Sequence, residues 1–212
     1  MDCTDSITKK SILNQTNHIN RDFQILAITN RHLCRRPFEE QIRRVCEWHP
    51  DALILREKDL TEEEYKLLAK NILPICAAYD VPCILHTYWK TALDLGHDAI
   101  HLPLPILREL STQPQLFSKN RFQKIGTSVH SVEDALEAEK LGATYVTAGH
   151  IFSTDCKKGL PPRGLAFLKS VCETSTIPVY GIGGIKFEQE QWESLAEQGA
   201  FGGCIMSGMM QL

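Results

Sequence analysis

The stretch that decides the fold is KIGTSVHSVEDALEAEKLGATYVTAGHIF, residues 124–152. It divides into an apolar run, an amphipathic segment and a second apolar run: Lys124–His130, Ser131–Leu141 and Tyr145–Phe152. Near-continuous apolar runs are typical of parallel strands that are buried on both faces. Ser131, followed by Asp134, is a typical helix N-cap. The stretch therefore predicts a strand–helix–strand unit.

The same alternation extends along the chain in both directions and recurs at intervals of roughly 16 to 33 residues, the size of one βα unit. Six further strands are predicted: Phe23–Thr29, Ala52–Lys58, Cys83–His86, Ala99–Pro103, Pro178–Gly184 and Gly203–Ser207. Three further helices are predicted: Glu39–Trp48, Thr61–Tyr79 and Glu188–Gln198. Eight strands favour a single (β/α)8 TIM barrel of the α/β class. An open doubly wound sheet is the alternative, but no G-x-G-x-x-G follows the first strand.

The 212 residues suit one domain. Residues 1–22 are polar and predict an N-terminal arm, and residues 23–212 predict the barrel domain. Only five residues follow Ser207, so the eighth helix is expected to be short or missing. Such a gap would leave apolar surface that a homodimer could cover.

Net charge, the length of apolar runs and cysteine spacing argue against several classes of protein. The net charge of −3 predicts no nucleic-acid or anionic-membrane partner. No apolar run has the length of a membrane span, and residues 1–5 lack signal-peptide order. Eight cysteines without a C-x-x-C pair indicate reduced thiols and a cytoplasmic location. No Cys or His pair has zinc-ligand spacing, so no metal site is predicted.

Polar residues follow the strands, at the end where a barrel places its active site. Arg56 and Lys58 could clamp a phosphate or carboxylate, although Glu57 and Asp59 could instead be their salt-bridge partners. After strand five, His130 could transfer protons beside Ser128, or it could be structural.

Two later loops are candidates for binding an anion. Thr154 and Lys157 lie in a loop after strand six that could fold over an anionic substrate or be an ordinary solvated loop. Glycines after strands seven and eight could present backbone N–H groups to a phosphate. These candidate phosphate-binding residues are Gly183, Gly184, Ser207 and Gly208. Together the motifs predict a small phosphorylated substrate.

Four motifs together resemble the thiamine phosphate synthase and TenI superfamily: LREKDL (55–60), SVHS (128–131), GHIFSTDCKKG (149–159) and GIGGI (181–185). The resemblance covers roughly residues 23–208 and implies a (β/α)8 barrel. It implies one of two activities. The synthase couples a pyrimidine pyrophosphate to a thiazole phosphate with magnesium, whereas TenI-type tautomerases move a proton to aromatise a carboxythiazole phosphate.

The sequence departs from the synthase pattern at the expected metal ligands. The family pattern Asn-Asp after strand three is His86-Thr87 here, and the last residue of His-Leu-Gly-Gln-Glu-Asp after strand four is Ile106. The resemblance therefore implies a cofactor-free thiazole tautomerase. In that reading His130 is the general acid/base, Arg56 and Lys58 hold the carboxylate, and the four phosphate-binding candidates hold the phosphate. Ser128 would orient His130 or a water, and Thr154 and Lys157 would close the loop.

Two alternatives stay open. One is a synthase with a diverged Mg²⁺ site, and the other is a non-catalytic TenI-type regulatory protein that binds the thiazole phosphate. His86, His101 and His150 receive no role from the sequence.

Overall fold

The computed structural model describes residues 23–113, 115, 121–154 and 159–212. Its centre is a closed barrel of eight parallel strands arranged in chain order, with β8 paired to β1. The strands are β1 (Gln24–Ile28), β2 (Ala52–Leu55), β3 (Cys83–His86), β4 (Ala99–Pro103), β5 (Lys124–Val129), β6 (Tyr145–Gly149), β7 (Val179–Ile182) and β8 (Gly202–Ile205). The predicted TIM barrel is thereby confirmed. The predicted arm, residues 1–22, lies outside the described residues.

Seven α-helices surround the barrel within the described ranges, one after each of the first seven strands. They are α1 (Phe38–Glu47), α2 (Glu62–Ala78), α3 (Trp89–Asp94), α4 (Leu104–Ser111), α5 (Val132–Lys140), α6 (Gly164–Thr174) and α7 (Gln189–Glu197). The four predicted helices correspond to α1, α2, α5 and α7, each within one residue at both ends. Helices α3, α4 and α6 were not predicted. The first two have six and eight residues, too short for a clear helical repeat.

Several predicted strands are too long at their carboxyl ends. β2 stops at Leu55 and β6 at Gly149, so Arg56, Lys58 and His150 lie in loops. The chain leaves the sheet where the backbone turns into the left-handed region, at His150 (φ 67°) and at Gly183 (φ 103°). Arg56 and Lys58 follow the end of β2 and so lie outside its regular alternation, and both line the same cavity.

A 3₁₀-helix, Met209–Gln211, stands where an eighth α-helix would follow β8. This confirms the expectation that the eighth helix is short or missing. Met209 and Met210 are fully buried, and the Gln41 side-chain amide donates to the Met209 carbonyl at 2.7 Å. Trp48 and Phe187 pack together with ring centroids 5.3 Å apart. Large side chains from neighbouring elements thus cover much of this sector of the barrel.

The core has two parts. One cluster fills the barrel interior and includes Ile54, Ile84, Tyr145 and Tyr180. A larger cluster lies between the barrel and its helices. Among the described residues, no helix combines the length and the apolar character needed to cross a membrane.

Candidate active site

A cavity of about 790 Å³ opens at the carboxyl ends of the strands. Nine of the ten residues singled out from the sequence line it: Arg56, Lys58, Ser128, His130, Thr154, Gly183, Gly184, Ser207 and Gly208. The tenth, Lys157, lies outside the described residues. The barrel therefore brings together motifs that are up to about 150 positions apart in the sequence, as its closed geometry requires.

Glu57 and Asp59, the acidic residues next to Arg56 and Lys58 in the sequence, both bind Arg31. Glu57 is buried and accepts hydrogen bonds from the Thr29 hydroxyl (2.7 Å) and from the Arg31 backbone and side chain (3.1 Å each). Asp59 is paired with the same Arg31 guanidinium, through Nη1 at 2.7 Å. The salt-bridged strand end anticipated as an alternative does exist, with Arg31 as a cation that both carboxylates share.

Arg56 and Lys58 both line the cavity, and the same network holds the backbone of Arg56. The Thr29 hydroxyl, which donates to Glu57, accepts a hydrogen bond from the Arg56 backbone N–H at 2.8 Å. Partial burial, followed by the positive charge of Arg56, lowers the pKa of Lys58 although its side chain still reaches solvent. Two cations held this close favour an anionic ligand that would neutralise them.

His130 follows β5 directly and is exposed at the cavity mouth. Its backbone N–H donates to the Asp134 carboxylate at 3.0 Å, and the Asp134 N–H donates to the Ser131 hydroxyl at 3.0 Å. The N-cap of α5 therefore holds the His130 backbone. The imidazole lies over Gly149, where an added Cβ would be 2.7 Å from its Nδ1 and Cε1. Only glycine leaves room for this ring position.

The loop after β7 is shaped by two glycines. Gly183 (φ 103°) and Gly184 (φ 72°) have backbone conformations that residues with a side chain rarely adopt. A Cβ on Gly184 would lie 2.4 Å from the Ser153 carbonyl oxygen, so this loop packs directly on the loop after β6. Ser207 and Gly208, after β8, line the same side of the cavity. This arrangement can present backbone N–H groups to a phosphate.

Two buried imidazoles form the cavity wall beside the cations, and sequence reasoning assigned neither a role. His86 and His101 stack with ring centroids 5.4 Å apart. Burial, with smaller effects of Lys58 and Arg56, lowers the pKa of His101 to about 3. Burial also lowers the pKa of His86, with contributions from His101, Arg56 and Lys58. Both rings are therefore neutral near pH 7. Alternation along β4 could have indicated that His101 faces inward.

Comparison with known proteins identifies the family. A family model described as thiamine monophosphate synthase (TMP-TENI) matches residues 25–209. The chain belongs to this family.

Similar proteins are named as thiamine-phosphate synthases or as a thiamine phosphate pyrophosphorylase. A thiamine-phosphate synthase from Syntrophomonas wolfei is 31% identical over 199 residues, covering 91% of this chain and 90% of the relative. A thiamine-phosphate synthase 2 from Streptococcus pneumoniae is 30% identical over 200 residues, with 91% and 90% covered. A solved structure, a thiamine phosphate pyrophosphorylase from Pyrococcus furiosus, superimposes with a TM-score of 0.73 at 30% identity. It covers 89% of this chain and 88% of its own. These comparisons place the chain in thiamine biosynthesis.

Among the described residues, the cavity lining does not fit a magnesium–pyrophosphate centre. Mg²⁺ is usually held through carboxylates, yet no Asp or Glu lines the described part of the cavity. Thr87 uses its hydroxyl in a 2.6 Å hydrogen bond with His86 Nδ1, and Ile106 packs against the core. Across the described ranges, no three Asp, Glu, His or Cys side chains converge as metal ligands would.

Proposed function

We propose that this family member is a thiazole tautomerase, which aromatises a carboxythiazole phosphate by proton transfer through His130. One observation carries the proposal. A solvent-exposed imidazole shares a cavity with two cations, and the described lining of that cavity contains no carboxylate. Such a site suits an anionic substrate whose reaction needs a proton carrier and no metal.

Two sets of cavity residues suit the two anionic groups of such a substrate. The loops with Gly183, Gly184, Ser207 and Gly208 would hold the phosphate through backbone N–H groups. Arg56 and Lys58 would hold the carboxylate and stabilise negative charge that develops on it. Thr154, which lines the cavity, would contribute to binding the ring.

The proposed reaction is an isomerisation, so its atoms and charges balance. Neutral His130 removes a proton from one position of the unaromatised ring system, and the resulting anion is delocalised toward the carboxylate beside Arg56. The imidazolium of His130 then returns a proton at a second position, which leaves the aromatic ring and a neutral histidine. No cofactor takes part.

The names of the relatives favour a second candidate, the synthase reaction itself. In that case the chain would join a pyrimidine pyrophosphate to the thiazole phosphate and would require Mg²⁺. The sequence argues against it, because Thr87 and Ile106 stand where the synthase pattern has carboxylates.

The experiment that separates the candidates is incubation of the purified protein with unaromatised carboxythiazole phosphate in EDTA, followed by ultraviolet absorbance. We expect metal-free conversion, and we expect His130→Asn to bind substrate but to lose conversion by a factor of roughly 100 or more. Unchanged conversion by His130→Asn would contradict the assigned role. Binding without conversion would favour the regulatory alternative. Product formed only with Mg²⁺ and the pyrimidine pyrophosphate would favour the synthase.

A further inference from the structure

A chain of hydrogen bonds crosses three strands beneath the cavity. The Tyr145 hydroxyl on β6 lies 2.9 Å from His101 Nδ1 on β4. His101 Nε2 lies 3.0 Å from the Ser128 hydroxyl on β5. The Thr147 hydroxyl, again on β6, donates to Ser128 at 2.9 Å. Ser128 and Thr147 both line the cavity.

Gly126 makes this arrangement possible. Gly126 on β5 is paired with His101 on β4 and with Tyr145 on β6. It therefore lies between the two residues that the Tyr145–His101 hydrogen bond joins. A Cβ on Gly126 would lie only 2.1 Å from Cζ of the Tyr145 ring. The tyrosine therefore extends across β5 through space that only a glycine leaves open.

The direction of each hydrogen bond can be deduced by starting at Tyr145, the buried end of the network. Tyr145 is fully buried, and its hydroxyl has no hydrogen-bond partner other than His101 Nδ1 among the described residues. A buried hydroxyl hydrogen without an acceptor is costly, so the phenol donates to Nδ1. The imidazole is neutral, because burial lowers the pKa of His101 to about 3. Its one hydrogen is then on Nε2 and is donated to Ser128.

Ser128 thus receives two hydrogen bonds, from His101 Nε2 and from Thr147. Both acceptor positions of its oxygen are occupied, so the hydroxyl hydrogen can be directed only into the cavity. Ser128 is also the more exposed of the two hydroxyl residues, since Thr147 is fully buried.

We propose that Tyr145 and His101 are positioning residues that fix Ser128 as a hydrogen-bond donor toward an anionic oxygen of the substrate. This inference rests on the proposed function, in which the substrate carboxylate gains negative charge as His130 removes the proton. A pre-oriented donor stabilises such charge without reorganisation during the reaction. Ser128 would act with the Arg56 and Lys58 cations on the same oxygens.

The direct test is the tautomer of His101 in ¹⁵N-histidine-labelled protein, with its signals assigned by comparison with His101→Gln. We expect the Nε2–H form in the wild type and loss of this preference in Tyr145→Phe, which keeps the ring and removes only the donor. An Nδ1–H form in the wild type would overturn the proposal, because Ser128 would then donate to the imidazole. This measurement needs no turnover, so it stands even if the proposed function fails.

The kinetic test compares two buried tyrosines. Tyr180→Phe is the matched control, because Tyr180 packs edge-on against Tyr145 (5.6 Å) but donates to Gln24 at 2.7 Å, outside the network. We expect Tyr145→Phe to lower kcat roughly tenfold with little change in KM, and Ser128→Ala to lower it roughly a hundredfold. Tyr180→Phe should match the wild type. Equal effects of the two tyrosine variants would overturn the positioning role, whereas an inactive wild type would refute the proposed function alone.

Discussion

Gly149→Ala tests whether the position of the His130 ring sets the reaction rate. The new Cβ would lie 2.7 Å from Nδ1 and Cε1 of the imidazole, whereas ordinary contacts begin near 3.4 Å, so the ring must move by about 0.7 Å. The imidazole is exposed and can move without disturbing the core. A misplacement near 1 Å costs up to about 100-fold in rate. We therefore expect kcat to fall roughly 10- to 100-fold with little change in KM.

Stability should respond differently from activity. Gly149 has no positive φ, so alanine fits the backbone. Because alanine lowers the conformational entropy of the unfolded chain, it should stabilise the fold by about 0.4–1 kcal/mol. Any cost of moving the His130 ring reduces this gain. Gly203→Ala on β8 is the matched control, since its Cβ would meet only side-chain carbons of Leu195 and Ile185, the nearest at 3.3 Å. The measurements are kcat without metal and the free energy of unfolding in urea, for both variants and the wild type. Wild-type kcat in a folded Gly149→Ala protein would refute the reasoning.

Three further predictions concern stability. Glu57→Gln should lower the free energy of unfolding by about 1–3 kcal/mol in urea titrations, because it weakens the buried bonds to Arg31; unchanged stability would contradict this. Met210→Ala should cost about 2–5 kcal/mol, since Met210 is fully buried in the 3₁₀-helix that follows β8, and a smaller loss would mean that this sector is loosely packed. Unfolded His101 takes up a proton near pH 6.5, but the folded residue has a pKa of about 3. Stability should therefore fall between pH 6.5 and 3 by up to about 1.4 kcal/mol per pH unit from this residue, and His101→Gln should have a shallower pH dependence.

The barrel could be predicted because strand and helix patterns alternate without interruption. Strands that are buried on both faces are mostly apolar, so β3 and β4 could be bounded to the residue although each carries a histidine. The carboxyl ends of other strands could not, because the chain leaves the sheet through backbone conformations such as that of His150, which is not a glycine. Sequence pattern does not reveal a positive φ at such a residue.

The sequence predicts which residues line the site but not which of their side chains touch each other. Barrel topology places every strand end at one mouth, so the residues after the strands had to meet there. Which side chains touch depends on strand register, and no sequence pattern specifies that Gly126 separates His101 from Tyr145. Likewise, Arg31 lies in a segment without strand or phosphate-loop character, so nothing in the sequence marked it as the partner of Glu57.

The burial of the cavity histidines narrows the choice of proton carrier. An imidazole that relays a proton must be able to hold it for part of the reaction. His86 and His101 cannot do so near neutral pH, because burial and the charges of Arg56 and Lys58 lower the pKa of each. Burial is the main cause, and the same cations that would bind the substrate carboxylate add to it. His130 lines the same cavity but is exposed to solvent, where a transient imidazolium is hydrated. Proton transfer through His130 therefore leaves the buried pair free to serve as neutral hydrogen-bonding groups.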